Sequence, residues 1–420
     1  MSLQHKQLTI GLFGFGVVGE GLYKVLQQTP SLQASIKKIC IKHPEKKRDA
    51  PADLFTTDAS VLLNDPEINV IVELIDDADA AFDIACAAFS RKKALISASK
   101  KMIAAHLPEL LQLQEQYQVS FLYEAACCAS IPVIRNLEEY YDNDLLQGIQ
   151  GIVNGSTNYI LSRIAQDNLS FNDALRLAQE KGFAESNPAL DIEGTDAVNK
   201  LTILLSHAYG VLAQPASILH TGIQNLKPAD ARFASEKGYR IKLVAQARKL
   251  EDGTIAAFVL PQFVPADHAL YQVNDEYNGV IIESGLADRQ FFSGKGAGSF
   301  PTASAVLSDI SALRYNYRYE YKKLNSTEQT QLSNDFYLKV YVSFNRLLQV
   351  PHHLFASVEE WSSNKTGCSV SGIIHYSRLQ ENWWRNDYTS LILYPDAIIE
   401  ADQLPEQKVI EENWQELVTG

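Results

Sequence analysis

Four ionisable residues stand close together in this chain: Glu185, Asp191, Asp196 and Lys200. Asp196 and Lys200 are four apart, so on a helix they share one face. Glu185 and Asp191 fall in the loop leading into that helix. A lysine beside three carboxylates can hold an amino-acid substrate and move a proton. The carboxylates suit an ammonium group, the lysine suits a reacting oxygen, and its pKa follows burial and neighbours. A surface ion pair on a capped helix would leave the same spacing, so spacing alone does not choose between them.

A second segment points to a cofactor. Gly14-Phe15-Gly16-Val17-Val18-Gly19 follows the apolar run Leu8–Phe13 directly and opens the helical pattern Val17–Gln27. In this GxGxxG the first glycine permits a tight turn, the second admits a pyrophosphate, and the third lets helix and strand pack closely. The helix N-terminus then faces the phosphate charge. An NAD site would place an acidic residue at the end of the second strand. Here Ile36–Ile41 ends in Lys42-His43, with Lys46, Lys47 and Arg48 beyond. That cluster suits a 2′-phosphate and tips the expectation slightly from NAD to NADP; a solvated charge run is the other reading. No His or Cys spacing suggests a structural metal, since His352-His353 are adjacent and the five cysteines form no CxxC pair. Cys127-Cys128 read as small buried residues.

The elements that must position these residues read as an α/β fold. Apolar strand-like runs alternate with helices up to about residue 125, which argues for a parallel, Rossmann-type sheet covered on both faces. The pattern then changes. Gln147–Val153, Tyr239–Val264 and Asn278–Phe292 are strand-like, while Asn158–Asp167, Phe171–Lys181 and Ala197–Tyr209 are helical, as in a mixed-sheet α+β domain. A glycine-rich loop at Ser293–Ser299 precedes a helix over Thr302–Tyr315. The polar stretch Asn316–Ser333 is the best linker candidate. In the tail, a strand over Phe336–Phe344, a helix over His353–Trp361 and strands over Ser369–Tyr376 and Ser390–Leu393 make a small α+β module. The expected domains are 1–130 completed by 301–325, then 131–300, then 331–420. Three domains suit 420 residues at roughly 100–200 each. With 37 basic against 50 acidic residues the net charge is −13, which disfavours nucleic acid and anionic membranes as partners. No apolar run reaches the length of a membrane span, and Met1–Gln7 is too short and polar for a secretory leader. A cytoplasmic protein is expected.

Taken together, the motifs resemble homoserine dehydrogenase. The resemblance is carried by the GxGxxG, by Ser97-Ala98-Ser99-Lys100-Lys101, by Glu124-Ala125-Ala126-Cys127 through Ile131-Pro132, and by Gly151 to Ile160 with its Asn154-Gly155-Ser156-Thr157-Asn158-Tyr159. The Gly182–Lys200 segment and Gly294-Lys295-Gly296-Ala297-Gly298-Ser299-Phe300-Pro301-Thr302 complete it. These run in family order over roughly residues 8–315. The resemblance implies NAD(P)H-dependent interconversion of aspartate 4-semialdehyde and homoserine, in threonine, methionine and isoleucine biosynthesis, by a homodimer. It implies Lys200 as proton donor to the substrate oxygen, Glu185 and Asp196 as holders of the homoserine amino and hydroxyl groups, and Asp191 as a further carboxylate of that pocket. Lys100 would lie between cofactor and substrate, with Gly182 and Gly296 near the nicotinamide. The backbone of Glu124, Cys127, Ala129 and Ile131 would hold a sodium ion. Another amino-acid dehydrogenase on the same architecture is the rival enzyme, and a paralogue without turnover is the non-enzyme rival.

Four positions depart from the family pattern: Ser99 for an asparagine, Asp76-Asp77 for two glycines, Ala129-Ser130 in a glycine-containing turn, and Lys42-His43. Two carboxylates near a pyrophosphate would repel it. The tail resembles a divergent ACT module, βαββαβ, without the Pro-Gly that opens its first helix; a structural extension or dimer contact is the other reading.

Overall fold

A computed structural model of the chain describes residues 7–143, 145–326, 329–345, 352–364 and 367–405. They form two compact units. The first comprises residues up to 145, with 199–215 and 292–329; the second comprises 146–198, 216–291 and 330 onward. The polypeptide therefore crosses between them inside the helix that carries Asp196 and Lys200. The tail groups with the substrate-side residues.

The chain opens with β1 (Leu8–Phe13), α1 (Val17–Gln28), β2 (Ala34–Cys40), β3 (Phe55–Thr56), α2 (Ala59–Leu63), β4 (Val70–Glu73), α3 (Ala78–Ser90), β5 (Ala94–Ser97), α4 (Lys100–Tyr117), β6 (Phe121–Leu122) and α5 (Val133–Glu139). The six strands form a parallel sheet in the order β3-β2-β1-β4-β5-β6. The order reverses at β1, and in such sheets ligands bind beyond the carboxyl ends of the strands at that switch point. Ile10, Leu12, Val70, Ile71 and Val72 are fully buried, as expected of strands covered on both faces.

Next come β7 (Leu146–Ile152), α6 (Gly155–Asp167), α7 (Phe171–Glu180), α8 (Ala189–Ile192), α9 (Thr195–Tyr209), β8 (Leu219–His220), α10 (Pro228–Glu236), β9 (Tyr239–Lys249), β10 (Ile255–Pro265), β11 (Tyr277–Ser284), β12 (Asp288–Lys295) and α11 (Ser299–Leu313). β7, β9, β10 and β11 pair antiparallel in the centre of a larger sheet. Residues 316–326 are not the loose linker expected. Tyr319 and Tyr321 are buried in the first unit, where their rings pack around His207.

The tail folds as β13 (Tyr337–Phe344), β14 (Phe355–Asn364), β15 (Gly367–His375), α12 (Tyr376–Leu379) and β16 (Thr389–Ile399). Its strands lie in the order β16-β13-β15-β14, every neighbour antiparallel, and β16 pairs with β10, so the tail extends the larger sheet. The helix expected over His353–Trp361 is instead strand β14. Register shifts between Phe355 and Ser357 and between Val358 and Glu360 each insert a residue. They bring Phe355, Val358 and Trp361, spaced by three, onto one apolar cluster. A bulged strand thereby imitates helical spacing. The second helical connection is only the four-residue α12, and the first falls largely on residues outside those described.

Candidate active site

In the first unit the glycine turn has the shape a dinucleotide needs. Gly14 has φ +91°, and a Cβ there would stand 2.6 Å from the Leu74 carbonyl oxygen. A Cβ on Gly19 would stand 2.4 Å from the carbonyl oxygen of Gly14, whereas one on Gly16 would meet nothing within 4 Å. The two outer glycines thus make the close packing, and the middle one faces open space. Gly16 precedes α1 with no side-chain cap, so the amides of the first turn are left for an incoming anion. Val17 and Val18 begin α1, and Val17 is exposed.

Phe15 packs edge-on against Phe55, and the Arg48 guanidinium lies 5.6 Å from the same ring. Arg48 also donates to the Lys46 carbonyl, so of the basic cluster it is the member committed to local structure. Lys42, Lys46 and Lys47 are exposed. Asp77 caps α3, accepting from the Ala80 amide at 3.1 Å, which gives this departure from two glycines a structural use; Asp76 is exposed. Ser99 directly precedes α4, whose first residue is Lys100. Ser130 and Lys295 are bonded, which places the Gly294–Gly296 segment against the 124–131 loop.

Lys200 is buried, and the Cys127 thiol contacts its carbonyl oxygen. Two turns further along α9, His207 Nδ1 meets the Glu138 carboxylate at 2.6 Å and its Nε2 meets Tyr123 at 2.8 Å, with Tyr321 beyond at 2.6 Å. Burial pushes Glu138 up. The His207 contact and the Tyr321 and Glu320 amides outweigh it and hold Glu138 below the usual carboxylate range. This buried network anchors the lysine's helix. Glu124 accepts from the Ile134 and Arg135 amides at the start of α5, and Asp309 binds the Glu124 amide and Arg135. Burial, and secondly Asp309, pushes Glu124 up to about 8.

In the second unit, Asn154 organises the acidic residues. Its Nδ2 donates to Asp191 and to Asp196, each at 2.8 Å, and its Oδ1 accepts from the Thr157 amide at 2.8 Å as the N-cap of α6. One neutral amide therefore satisfies a donor need of two carboxylates that would otherwise repel each other. Asp196 is buried and Asp191 half-buried. Glu185 and Gly182 are exposed, in the segment between α7 and α8, and the Glu185 carbonyl is tied to Gln179. Ser156 donates to the Phe183 carbonyl of the same segment. Behind α6, Asn158 donates to the carbonyls of Val273, Asp275 and Tyr277 and accepts from Lys242, which is buried. Burial, with Arg240 second, pulls Lys242 down to about 7. The structure thus brings Asp191 and Asp196 together. Asn154 lies in a motif that carries the family resemblance but has no site role assigned from sequence, and Lys242, Glu138 and His207 are not among the sequence candidates.

A parallel sheet with this glycine turn at its switch point, and a helix bearing a buried lysine one turn beyond an amide-held aspartate, define the class: a nicotinamide-dinucleotide dehydrogenase. Comparison with known proteins narrows it. The family model for the homoserine dehydrogenase NAD-binding domain matches residues 14–124, and the homoserine dehydrogenase model matches 132–311. Relatives include homoserine dehydrogenase from Helicobacter pylori, 37% identical over 73% of each chain, and that of Synechocystis, 36% identical over 72% of each. Among solved structures, a homoserine dehydrogenase from Thiobacillus denitrificans superposes with TM-score 0.80 at 26% identity, over 93% of this chain and 98% of that one. The chain belongs to the homoserine dehydrogenase family, NAD(P)-dependent oxidoreductases acting on a CH–OH group. Among the described residues no helix is long and apolar enough to cross a membrane.

Proposed function

We propose that Lys200 is the proton donor and acceptor at the substrate oxygen in the reaction aspartate 4-semialdehyde + NAD(P)H + H⁺ → homoserine + NAD(P)⁺. The observation that carries this reading is the buried lysine one helical turn from Asp196, with Asp196 and Asp191 held by Asn154. Hydride arriving at the aldehyde carbon leaves charge on oxygen, and a lysine supplies the proton that quenches it. Asp196 and Asp191, with Glu185, suit the substrate ammonium. The dinucleotide supplies the hydride when bound; Gly14–Gly19 cradle its pyrophosphate, and Lys100, Gly182 and Gly296 serve the nicotinamide end.

On this reading residues 1–130 with 301–325 hold the cofactor, 131–300 the substrate, and 331–420 a divergent ACT-like module. The exposed Lys42, Lys46 and Lys47 favour NADP slightly over NAD. The loop from Glu124 to Ile131 suits a sodium ion held by carbonyls, because the Glu124 carboxylate is already committed to two amides. A cytoplasmic homodimer in threonine and methionine biosynthesis completes the proposal. Lys200→Ala tests it. The expected result is a kcat lowered by about a thousandfold, in line with loss of general acid–base catalysis, with the Kd for NADPH within about twofold. Equal loss of both would make Lys200 structural.

A further inference from the structure

The strongest unassigned group in the first unit is Glu73. It closes β4 beside the switch point, paired in register with Phe13 of β1 and Ser97 of β5. Its side chain is fully buried, yet it is a carboxylate with no cation among its bonded partners. Oε1 accepts from the Ile75 amide at 2.6 Å, and Oε2 accepts from the Ser97 hydroxyl at 2.5 Å. Ser97 Oγ in turn accepts from the Ser99 amide at 3.0 Å, immediately before Lys100. The first contact fixes the Leu74–Asp77 turn, whose Leu74 carbonyl lies directly against Gly14. The second fixes the strand end that launches Lys100. A buried carboxylate with so few donors costs stability, and burial pushes Glu73 up to about 7, against the two donors and with Asp76 adding to the rise. A group retained at such a cost is a candidate for function.

We propose that Glu73 is a positioning residue of the cofactor site, joining the turn beneath Gly14 to the Ser97–Lys100 segment so that Lys100 is held in place relative to the dinucleotide. This rests on the dehydrogenase reading above. Ser99 N–H donates to Ser97 Oγ, and Ser97 O–H donates to Glu73. Glutamine can keep both joints, because its oxygen accepts from the Ile75 amide and its N–H₂ donates to the second lone pair of Ser97 Oγ. Methionine has similar length but can make neither contact, so both joints open.

The test uses the full chain with Glu73→Met, Glu73→Gln, Ser97→Ala and the Glu73→Met/Ser97→Ala double variant, measuring kcat, KM for homoserine, Kd for NADPH and Tm. Expected for Glu73→Met are kcat or cofactor affinity at least tenfold worse with KM for homoserine within twofold, whereas Glu73→Gln, which keeps both joints, stays within about threefold of wild type. The double variant should be no worse than about twice the more damaging single change, since both act through one chain of contacts. A Glu73→Met protein as active as the wild type, or a Glu73→Gln protein as damaged as Glu73→Met, would overturn the proposal and leave the dehydrogenase reading standing. Loss of activity in proportion to a falling Tm would also overturn it, by making Glu73 merely structural. If the wild type itself does not turn over homoserine, it is the reading of the enzyme that fails.

Discussion

Replacing Asn154 by aspartate isolates what its amide does. Aspartate is as good an N-cap as asparagine, so the Thr157 amide keeps its acceptor and α6 keeps its start. Both N–H···O contacts to Asp191 and Asp196, each 2.8 Å, are lost, and a third carboxylate enters. Hydrogen bonds to charged groups are worth about 1.5–3 kcal/mol each. At the low end, two such contacts come to about 3 kcal/mol, which at about 1.4 kcal/mol per decade is roughly a 100-fold loss of kcat/KM for homoserine. The assay is steady-state homoserine oxidation at pH 8, with circular dichroism to verify a folded protein. A folded Asn154→Asp enzyme within about threefold of wild type at pH 8 would refute the reasoning, because the amide bridge would then not govern the carboxylates.

Two further outcomes follow from the same geometry. Gly16→Ala should leave Tm within about 2 °C of wild type, since its Cβ meets nothing, yet weaken NADPH binding at least tenfold; Gly19→Ala, whose Cβ would be forced onto the Gly14 carbonyl, should lower both, as thermal melts and fluorescence titration would show. Glu138 sits below its ordinary value of 4.5, so its stabilising effect is present above that pH and is lost as pH falls through the lower, folded value. Glu138→Gln should lower Tm at pH 7 by several degrees and flatten the decline of Tm in acid; an unchanged acid limb would mean that Glu138 is not the group responsible.

What could be read from the chain was local. The glycine turn declares itself because strand, turn and helix are consecutive, and Asp196 and Lys200 because a helix repeats. Asn154 could not be singled out that way: the partners of its amide lie 37 and 42 residues downstream, and only the fold joins them. Glu138 and His207 are 69 residues apart, and neither residue type alone signals a buried pair. The tyrosines of 315–321 sit among Asn, Arg and Glu and resemble a linker, because a tyrosine can face water or bury its ring with its hydroxyl bonded. Phe355, Val358 and Trp361 misled for another reason, since bulges shift the period of a strand toward that of a helix. Glu73 hides in an apolar run, where the pattern says strand and says nothing about a carboxylate held beneath a cofactor turn.

The most direct test of the account is oxidation of homoserine by the wild-type chain with NADP⁺ and with NAD⁺, followed by cofactor absorbance. Turnover is expected with both, faster with NADP⁺ at limiting concentration. A folded protein that binds NADPH but turns over homoserine with neither cofactor would contradict it.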